Sequence, residues 1–358
     1  MATYRKIVCK KLSTDFRGAT EIVTAPLATL KPGAGAVLVK NHFLGINASD
    51  INFTNGKYLP GVVPPFDVGF EAGVLYLSVL WLSMRVVGEV VEVGAGAKHL
   101  KRGDAVMYSL YGAFAEYIVV PVKFITKVPV LSPAVLPLNV CGLTASIALD
   151  VVGEMKQGEV VLVTAAAGAT GLFAVQLAKL AGNTVIGTCS SKEKQEFLLG
   201  LGCDRAIDYT KEDVGAVLKK EFPRGVNLVF ESVGGDMLET CVSNVARHGR
   251  IVVIGAISGY QDSSSWDGKA GGSGPLSTAL LSKSASLRGF FLNHHIVHFG
   301  AHARKLGTLV HKGLLDPGVD PTPFHGLESV ADAIEYMYAR KNVGKLVVSV
   351  ATTPDARL

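Results

Sequence analysis

Residues 160–171 constrain the fold more than any other stretch, because they join an apolar run to a loop of small residues: Val-Val-Leu-Val-Thr-Ala-Ala-Ala-Gly-Ala-Thr-Gly. The run at 160–163 predicts a buried parallel strand, and the apolar spacing of residues 172–180 predicts a helix after it. A strand, a glycine turn and a helix place a pyrophosphate at the helix N-terminus, where free N–H groups and the helix dipole neutralise it. A loop of small residues is equally typical of a tight βα turn, so it is a weak signal alone.

The next strand end indicates which nucleotide the loop would hold. A site for NAD places an acidic residue about 20 positions after the first glycine, where it binds the ribose hydroxyls. Counting from Gly168 reaches Thr188, and residues 187–191 contain no acid, whereas Lys192 and Lys194 follow. Hydroxyls and lysines suit a 2′-phosphate, so NADPH is favoured. The alternative is that these lysines are only the solvated start of a helix.

Composition and charge exclude several classes of protein. A length of 358 residues predicts two domains, and a net charge of +5 without a basic cluster argues against nucleic acid as the main partner. No uninterrupted apolar run reaches the roughly 18 to 20 residues of a membrane span. The five cysteines are scattered and never form a Cys-x-x-Cys pair, which favours free thiols in a reducing compartment.

The periodicity of the chain changes near residue 125. Earlier segments are short and β-like, which predicts an all-β domain in the form of a small barrel. Later segments alternate between strands and helices, which predicts a doubly wound parallel sheet. We predict strands at 5–10, 36–43, 87–93, 105–108, 113–119, 160–164, 184–188, 226–231, 250–254, 286–292 and 345–350. We predict helices at 142–153, 171–181, 192–201, 212–221, 236–246 and 301–314. The last strand is expected to return to the first domain.

Two stretches depart from this pattern. Residues 261–278 are rich in Gly and Ser and follow a predicted sheet strand, so we interpret them as a mobile cover over a substrate, with plain disorder as the alternative. Residues 73–86 are almost wholly apolar without alternation, and they are too short to span a bilayer.

Several motifs together resemble the medium-chain dehydrogenase/reductase superfamily, and within it the zinc-free quinone oxidoreductase branch. They are Ala-Ala-x-Gly-x-x-Gly at 165–171, Gly-Ala-Phe-Ala-Glu-Tyr at 112–117, Gly-Leu-Thr-Ala at 142–145, Asn-Ala-Ser-Asp-Ile-Asn at 47–52, Glu-Ser-Val-Gly-Gly at 231–235 and Gly-Phe-Phe-Leu-Asn-His at 289–294. The resemblance covers nearly the whole chain. The large departure is residues 73–86, which we interpret as an inserted segment such as a translated intron.

The resemblance implies a GroES-like β-barrel catalytic domain at 1–124 and 315–358, and a Rossmann NADPH-binding domain at 125–314. Zinc-dependent relatives carry Cys and His where this chain has Asn47 and Phe70, neither of which binds zinc. Cys141 lies near the third ligand position without partners. We therefore expect no zinc. His294, His298 and His302 would share a face if their segment were helical, but a surface or core triplet is a far more common explanation than a metal site.

The resemblance also implies site residues. Those for the cofactor are Gly168, Thr170, Gly171, Ser190, Lys194, Tyr209, Ser232, Ile254, Tyr260, Phe290, Phe291, Leu292 and Asn342. Tyr260 is expected to donate a hydrogen bond to a developing enolate, although cofactor packing is an equally good interpretation. Asn47 and Asp50 are expected to form the pocket floor.

A chain without a metal or a Ser-Tyr-Lys set has no evident means of oxidising an alcohol, whereas a conjugated enone needs only an oriented hydride and donors at its oxygen. We therefore expect zinc-independent, NADPH-dependent reduction of a conjugated C=C bond. The resemblance implies that the substrates are 15-oxo-prostaglandins or similar lipid enones, a 15-oxoprostaglandin 13-reductase activity. The alternatives are a quinone oxidoreductase and a regulatory protein that binds NADPH without turnover.

Two further expectations concern location and assembly. Residues 356–358 read Ala-Arg-Leu, a conservative variant of the Ser-Lys-Leu address, which predicts recognition by the peroxisomal import receptor, with the cytoplasm as the alternative location. Relatives in this family commonly dimerise through an edge of the nucleotide-domain sheet, so a homodimer is expected from the resemblance.

Overall fold

The structure is a computed structural model, and it describes residues 1–69, 86–108, 110–261 and 276–350. The apolar stretch at 73–85, Phe70, most of the expected cover at 261–278 and the Ala-Arg-Leu tail lie outside the described residues. The chain divides into two compact units. The first contains Met1–Val140, Val319–Lys341 and the residues from Lys345 onward; the second contains Cys141–Gly318 and Asn342–Gly344.

The described strands and helices are numbered in chain order. The strands are β1 (Thr3–Cys9), β2 (Thr20–Pro26), β3 (Ala36–Gly45), β4 (Phe66–Asp67), β5 (Val86–Val93), β6 (Ala105–Tyr108), β7 (Tyr117–Pro121), β8 (Ile125–Lys127), β9 (Val160–Val163), β10 (Thr184–Cys189), β11 (Arg205–Asp208), β12 (Val226–Glu231), β13 (Val245–Val253), β14 (Ser286–Gly289), β15 (Phe324–His325) and β16 (Val347–Ser349). The helices are α1 (Phe16–Ala19), α2 (Asp50–Thr54), α3 (Leu136–Ile147), α4 (Ala169–Leu180), α5 (Lys192–Gly200), α6 (Val214–Glu221), α7 (Gly235–Asn244), α8 (Leu276–Lys283), α9 (Phe299–His311) and α10 (Ser329–Tyr338).

The first unit is built from mostly antiparallel sheet, in which β15 and β16 form a parallel pair. One sheet has the order β2-β1-β4, and the other has the order β15-β16-β3-β5-β6-β8 with β7 also paired to β3. Strand β16 pairs antiparallel with β3, where Val348 lies opposite Leu44. The expected return of the last strand to the first domain is therefore confirmed, and it brings the residues beside β16 next to the end of β3.

The second unit contains a parallel sheet with the order β11-β10-β9-β12-β13-β14. The chain starts in the middle at β9, extends to one side through β10 and β11, and then crosses to the other side through β12 to β14. The order reverses at β9, and in open sheets of this kind ligands bind at the carboxyl ends of the strands beside the reversal.

Apolar residues on the strands explain why this sheet is buried between helices. Leu162, Ile186, Ile207, Val229 and Ile251 occupy five neighbouring strands and belong to one buried cluster. Continuous apolar runs are expected in parallel strands that are covered on both faces. The burial of these runs fixes the register of the strands, and thereby fixes which residues emerge at the carboxyl edge.

The structure corrects several element predictions. Strand β7 begins at Tyr117 rather than 113, and residues 276–278 begin helix α8 rather than continuing a loop. Strands β2 and β11 were missed, because β2 alternates weakly, with mostly exposed or half-buried side chains, and β11 has only four residues. Strand β8 pairs with β6 of the first unit, so the barrel sheet extends past residue 124, where the sequence placed its boundary.

One helical stretch, Pro133–Val152, has the length and hydropathy of a membrane span, but 67% of its apolar window is buried inside the protein. Such burial is typical of a core helix in a globular fold.

Candidate functional site

The implied cofactor residues of the second unit lie at one edge of its sheet. Apart from Asn342 in the segment 342–344, they follow the carboxyl ends of six strands. The structure brings them together in this order: Gly168, Thr170 and Gly171 after β9, Ser190 and Lys194 after β10, Tyr209 after β11, Ser232 after β12, Ile254 and Tyr260 after β13, and Phe290, Phe291 and Leu292 after β14.

The loop after β9 leads directly into a helix N-terminus. Helix α4 begins at Ala169 with Gly168 as its N-cap residue, and no side chain caps it. The first intrahelical bond runs from Leu172 N–H to the Gly168 carbonyl, so the three N–H groups of residues 169–171 precede the helical ladder. These donors and the positive end of the helix dipole form an anion-binding end of the sheet.

Gly171 is required by close packing of this loop. A Cβ atom at Gly171 would lie 2.6 Å from the Ala165 carbonyl oxygen and 2.7 Å from Ala166 Cα. Ala165 itself has a φ of 46°, in the left-handed region. The loop therefore turns too tightly for any side chain at Gly171, and this tightness keeps the helix N-terminus close to the end of β9.

A second chain segment supports the same loop. Residues Asn342–Gly344 belong to the second unit, and the Gly344 N–H donates to the Ala167 carbonyl at 2.8 Å. The Asn342 side chain donates to the Gly344 carbonyl at 3.0 Å. The placement of Asn342 beside the glycine loop therefore follows from backbone pairing.

The end of β10 has the donors that a 2′-phosphate needs. Thr188 is buried, and its hydroxyl accepts from Ala165 N–H at 3.1 Å, so it orders the loop rather than facing a ligand. Ser190 is half-buried and Ser191 caps helix α5 by accepting from Lys194 N–H. Lys194 as a whole residue is 9% exposed, in contrast to the exposed Lys192.

Tyr209 joins this group through the backbone, because its N–H donates to the Cys189 carbonyl at 3.0 Å. Residues 188–191 carry no carboxylate, as the sequence indicates. Hydroxyls beside a largely buried ammonium are the donor set expected for a phosphate rather than for ribose hydroxyls.

The end of β12 contains a buried carboxylate that sequence reasoning did not single out. Glu231 is fully buried, and it accepts from Val233 N–H at 2.8 Å, Gly234 N–H at 3.0 Å and the Thr164 hydroxyl at 3.3 Å. Burial raises the pKa of Glu231, although these hydrogen bonds oppose the effect. Ser232 is held beside it, because its N–H donates to Thr164 Oγ1 at 2.9 Å.

Tyr260 lies on the loop after β13 and is 8% exposed. Its hydroxyl accepts from Ala256 N–H at 3.2 Å, an interaction that does not use the hydroxyl's own proton. Phe290 follows β14 and donates its N–H to the Val253 carbonyl, so it lies level with Ile254 at the sheet edge. Phe291 is 47% exposed, whereas Phe290 and Leu292 are buried.

Asn47 and Asp50, the remaining predicted residues, lie in the first unit between β3 and α2. Asp50 is buried and its carboxylate accepts from Asn47 N–H at 2.8 Å. Sequence reasoning missed their neighbour Lys345, which is 3% exposed. The Lys345 ammonium donates to the Ile46 carbonyl at 2.7 Å and to Asn47 Oδ1 at 2.6 Å.

No group of three or more His, Cys, Asp or Glu side chains among the described residues is arranged to hold a metal ion. The histidines noted in the sequence do not share one continuous helix, because His295 interrupts the helical geometry of residues 292–298. His302 instead pairs with the Ser146 hydroxyl at 2.7 Å in the interior, and burial lowers its pKa. Its position is that of a satisfied core residue.

The chain matches two families of known proteins. The alcohol dehydrogenase GroES-like domain matches residues 33–130, and the zinc-binding dehydrogenase family matches residues 169–304. Prostaglandin reductase-3 of Mus musculus is 46% identical, over 99% of this chain and 92% of that protein. A probable quinone oxidoreductase of Leishmania amazonensis is 43% identical, over 98% of each chain.

A solved structure is also similar. The native structure of a mycobacterial protein complexed with NADPH superposes with a TM-score of 0.78 at 27% identity, covering 97% of this chain and 100% of that one. The antiparallel first unit and the doubly wound second unit therefore form the expected fold, a GroES-like domain and a Rossmann domain.

Proposed function

Because the chain belongs to the medium-chain dehydrogenase/reductase superfamily, we propose that it reduces the conjugated C=C bond of 15-oxo-prostaglandins or similar lipid enones with NADPH. The observation that carries this proposal is the acid-free end of β10, where hydroxyls lie beside the largely buried Lys194 at the same sheet edge as the α4 N-terminus. The 46% identity to prostaglandin reductase-3 supports the substrate class.

The donor set fits NADPH. The N–H groups at the start of α4 would hold the pyrophosphate, and Ser190, Lys194 and Tyr209 would hold the 2′-phosphate. Ser232, Ile254 and Tyr260, with residues 290–292, would line the nicotinamide half, and Asn342 supports the glycine loop. The chemistry that bound NADPH supplies is a hydride for the β carbon of the enone.

The side chains have the remaining tasks of orientation and charge stabilisation. Negative charge develops on the carbonyl oxygen of the substrate as an enolate forms, and fixed donors stabilise that charge more than they stabilise the ground state. We assign Tyr260, in the nucleotide unit, as a donor to this oxygen. Asp50 shapes the turn that carries Asn47, because its carboxylate accepts from Asn47 N–H. A proton then reaches the α carbon.

One assay distinguishes this function from its alternatives. NADPH consumption is measured with a 15-oxo-prostaglandin, with a quinone and without an acceptor, and the product is identified by mass. Saturated prostaglandin establishes enone reduction, and turnover of the quinone alone establishes the oxidoreductase supported by the 43% identical relative. NADPH binding without turnover of either compound establishes a regulatory protein.

The Tyr260→Phe variant tests the enolate donor. We expect kcat to fall by as much as roughly 100- to 1000-fold, since loss of one fixed donor costs about 2.7–4 kcal/mol, with nearly unchanged NADPH affinity. The variant also removes the acceptor for Ala256 N–H, so its melting temperature is measured as a control. Unchanged turnover removes Tyr260 from the mechanism.

Location and assembly are proposals of the same kind. Peroxisomal import is supported by the Ala-Arg-Leu tail, and a fluorescent protein ending in these residues should collect in peroxisomes, whereas a cytoplasmic distribution contradicts the address. A homodimer is supported by the edge position of β14 in its sheet. Light scattering that reports a monomer at assay concentrations would exclude it.

A further inference from the structure

The Lys345 ammonium lies beside Asn47, and the proposed function leaves it unused. It lies directly before β16, and the Lys345 carbonyl accepts from Asp320 N–H at 2.9 Å. Its side chain reaches back 298 positions to the end of β3. Burying an ammonium is costly unless polar groups surround it, so a lysine that is 3% exposed here calls for a physical role.

The ammonium determines how the Asn47 amide faces. Lys345 has only donors, so the atom 2.6 Å away must be the amide oxygen, Oδ1. A flipped amide would direct its NH₂ group at the ammonium, which is repulsive. The usual ambiguity between oxygen and nitrogen in an asparagine is therefore removed by a neighbouring charge.

Fixing Oδ1 towards Lys345 also fixes the amide nitrogen, Nδ2, on the other side of the Asn47 side chain. Asn47 Nδ2 donates to the Gly45 carbonyl over 3.3 Å, a long bond, and this nitrogen carries a second hydrogen. The side chain is half-buried rather than enclosed. Its backbone is fixed as well, by Asp50, whose carboxylate accepts from Asn47 N–H. Asn47 Nδ2 is therefore an oriented donor, and one of its hydrogens is directed away from the Lys345 ammonium and the Gly45 carbonyl.

We infer that Lys345 is a positioning residue for the reduction: it holds Asn47 so that Nδ2 donates to the carbonyl oxygen of the substrate, where negative charge develops. This rests on the proposed function. The adjacent positive charge also draws electron density towards Oδ1, which strengthens Nδ2–H as a donor. Lys345 itself does not touch the substrate.

Three variants test the inference. Lys345→Met keeps the length of the side chain and removes the charge, and we expect kcat to fall about 10- to 100-fold with KM for NADPH unchanged, as for loss of a preorganised donor. Asn47→Asp keeps a partner for the ammonium but has no donor, so it should lose kcat equally. Its melting temperature is recorded as a control, because its second oxygen replaces the donor to the Gly45 carbonyl. The double variant with Asn47→Ala should be no slower than Asn47→Ala alone.

Tyr338→Phe is the matched control. It removes the bond of 2.6 Å from the Tyr338 hydroxyl to the Ala48 carbonyl, which supports the same loop without a charge. Its kcat should stay within about twofold of wild type, since the loss of this neutral bond lowers stability modestly and removes no donor from Asn47. Equal losses in Tyr338→Phe and Lys345→Met, or full activity in Asn47→Asp, would overturn the inference.

The test remains decisive if neither enone nor quinone is reduced, an outcome that refutes the proposed function alone. The side-chain amide signals of Asn47 in the NMR spectrum, assigned by their absence in Asn47→Ala, should then shift and broaden in Lys345→Met as the amide loses its fixed orientation. Signals identical to those of the wild type would show that Lys345 does not hold the amide.

Discussion

Replacing Lys194 with Ala should change the coenzyme preference of the protein. Lys194 as a whole residue is 9% exposed, so solvent screens it weakly, and a hydrogen bond between charged groups is worth about 1.5–3 kcal/mol. That range corresponds to a loss of roughly 10- to 150-fold in NADPH affinity, because about 1.4 kcal/mol is a factor of ten. NADH lacks the 2′-phosphate, so its affinity should stay within about twofold.

The neighbouring Lys192 provides the control. It lies on the same helix, its side chain is 80% exposed, and it pairs with Glu196 at 3.5 Å. Lys192→Ala should therefore change the affinity for either nucleotide by less than about twofold, as is usual for exposed charges. Both variants are titrated with NADPH and NADH by nucleotide fluorescence, and melting temperatures are recorded. Equal losses for the two nucleotides in Lys194→Ala would refute the assignment of Lys194 to the phosphate.

Three further predictions concern stability. Gly171→Ala should cost about 1–3 kcal/mol of folding stability and weaken NADPH binding, because a Cβ there meets backbone atoms at 2.6–2.7 Å. Gly200→Ala is the control and should be neutral or slightly stabilising, because a Cβ at Gly200 has nothing within 4 Å. Urea unfolding measures both variants, and equal stability would contradict the packing argument. Glu231→Gln should cost about 1–3 kcal/mol near neutral pH through the loss of an acceptor. The pKa of Glu231 is raised in the folded protein, so the wild type should lose folding stability as the pH rises from 4.5 through that raised pKa. The melting temperature of the variant, measured against pH, should not show this loss. Glu159→Gln breaks an ion pair in which Arg250 Nη1 lies 2.7 Å from Glu159 Oε1 and both side chains are largely buried. It should cost about 3–5 kcal/mol of folding stability. Burial raises the pKa of Glu159, but the hydrogen bonds from Arg250 outweigh that effect, so its pKa is lowered overall. The wild type should therefore lose its stability advantage over the variant as the pH falls below 4.5. A stability difference that does not change with pH would count against the ion pair.

The nucleotide unit could be predicted well from the sequence, since its signals are local. The apolar runs that became β9, β10 and β12 begin within a residue of their predicted starts, and each is followed by a small or polar residue at the sheet edge. Right-handed crossovers restrict the possible strand orders once the first glycine loop is recognised. Strand β11 was too short to give a periodic signal.

The polar groups that order the loops were not predictable, because their roles depend on distant partners. Glu231 ends an apolar strand and has the sequence appearance of a surface turn residue, yet its donors include Thr164, 67 positions earlier. Lys345 likewise resembles a charged residue at a strand start, and no local pattern indicates its bond to Asn47. Only the folded chain reveals which buried charges are satisfied, and by what.

The order of the strands makes coenzyme preference and substrate preference separable in evolution. Ser190 follows β10 and Phe290 follows β14, and four strand intervals in the sheet separate them, about 19 Å at roughly 4.8 Å per interval. Residues so far apart would contact different halves of the nucleotide, so the effects of substitutions at the two positions should be close to additive. Selection could therefore change the coenzyme preference through residues after β10, while the residues after β14 keep the preference for the substrate.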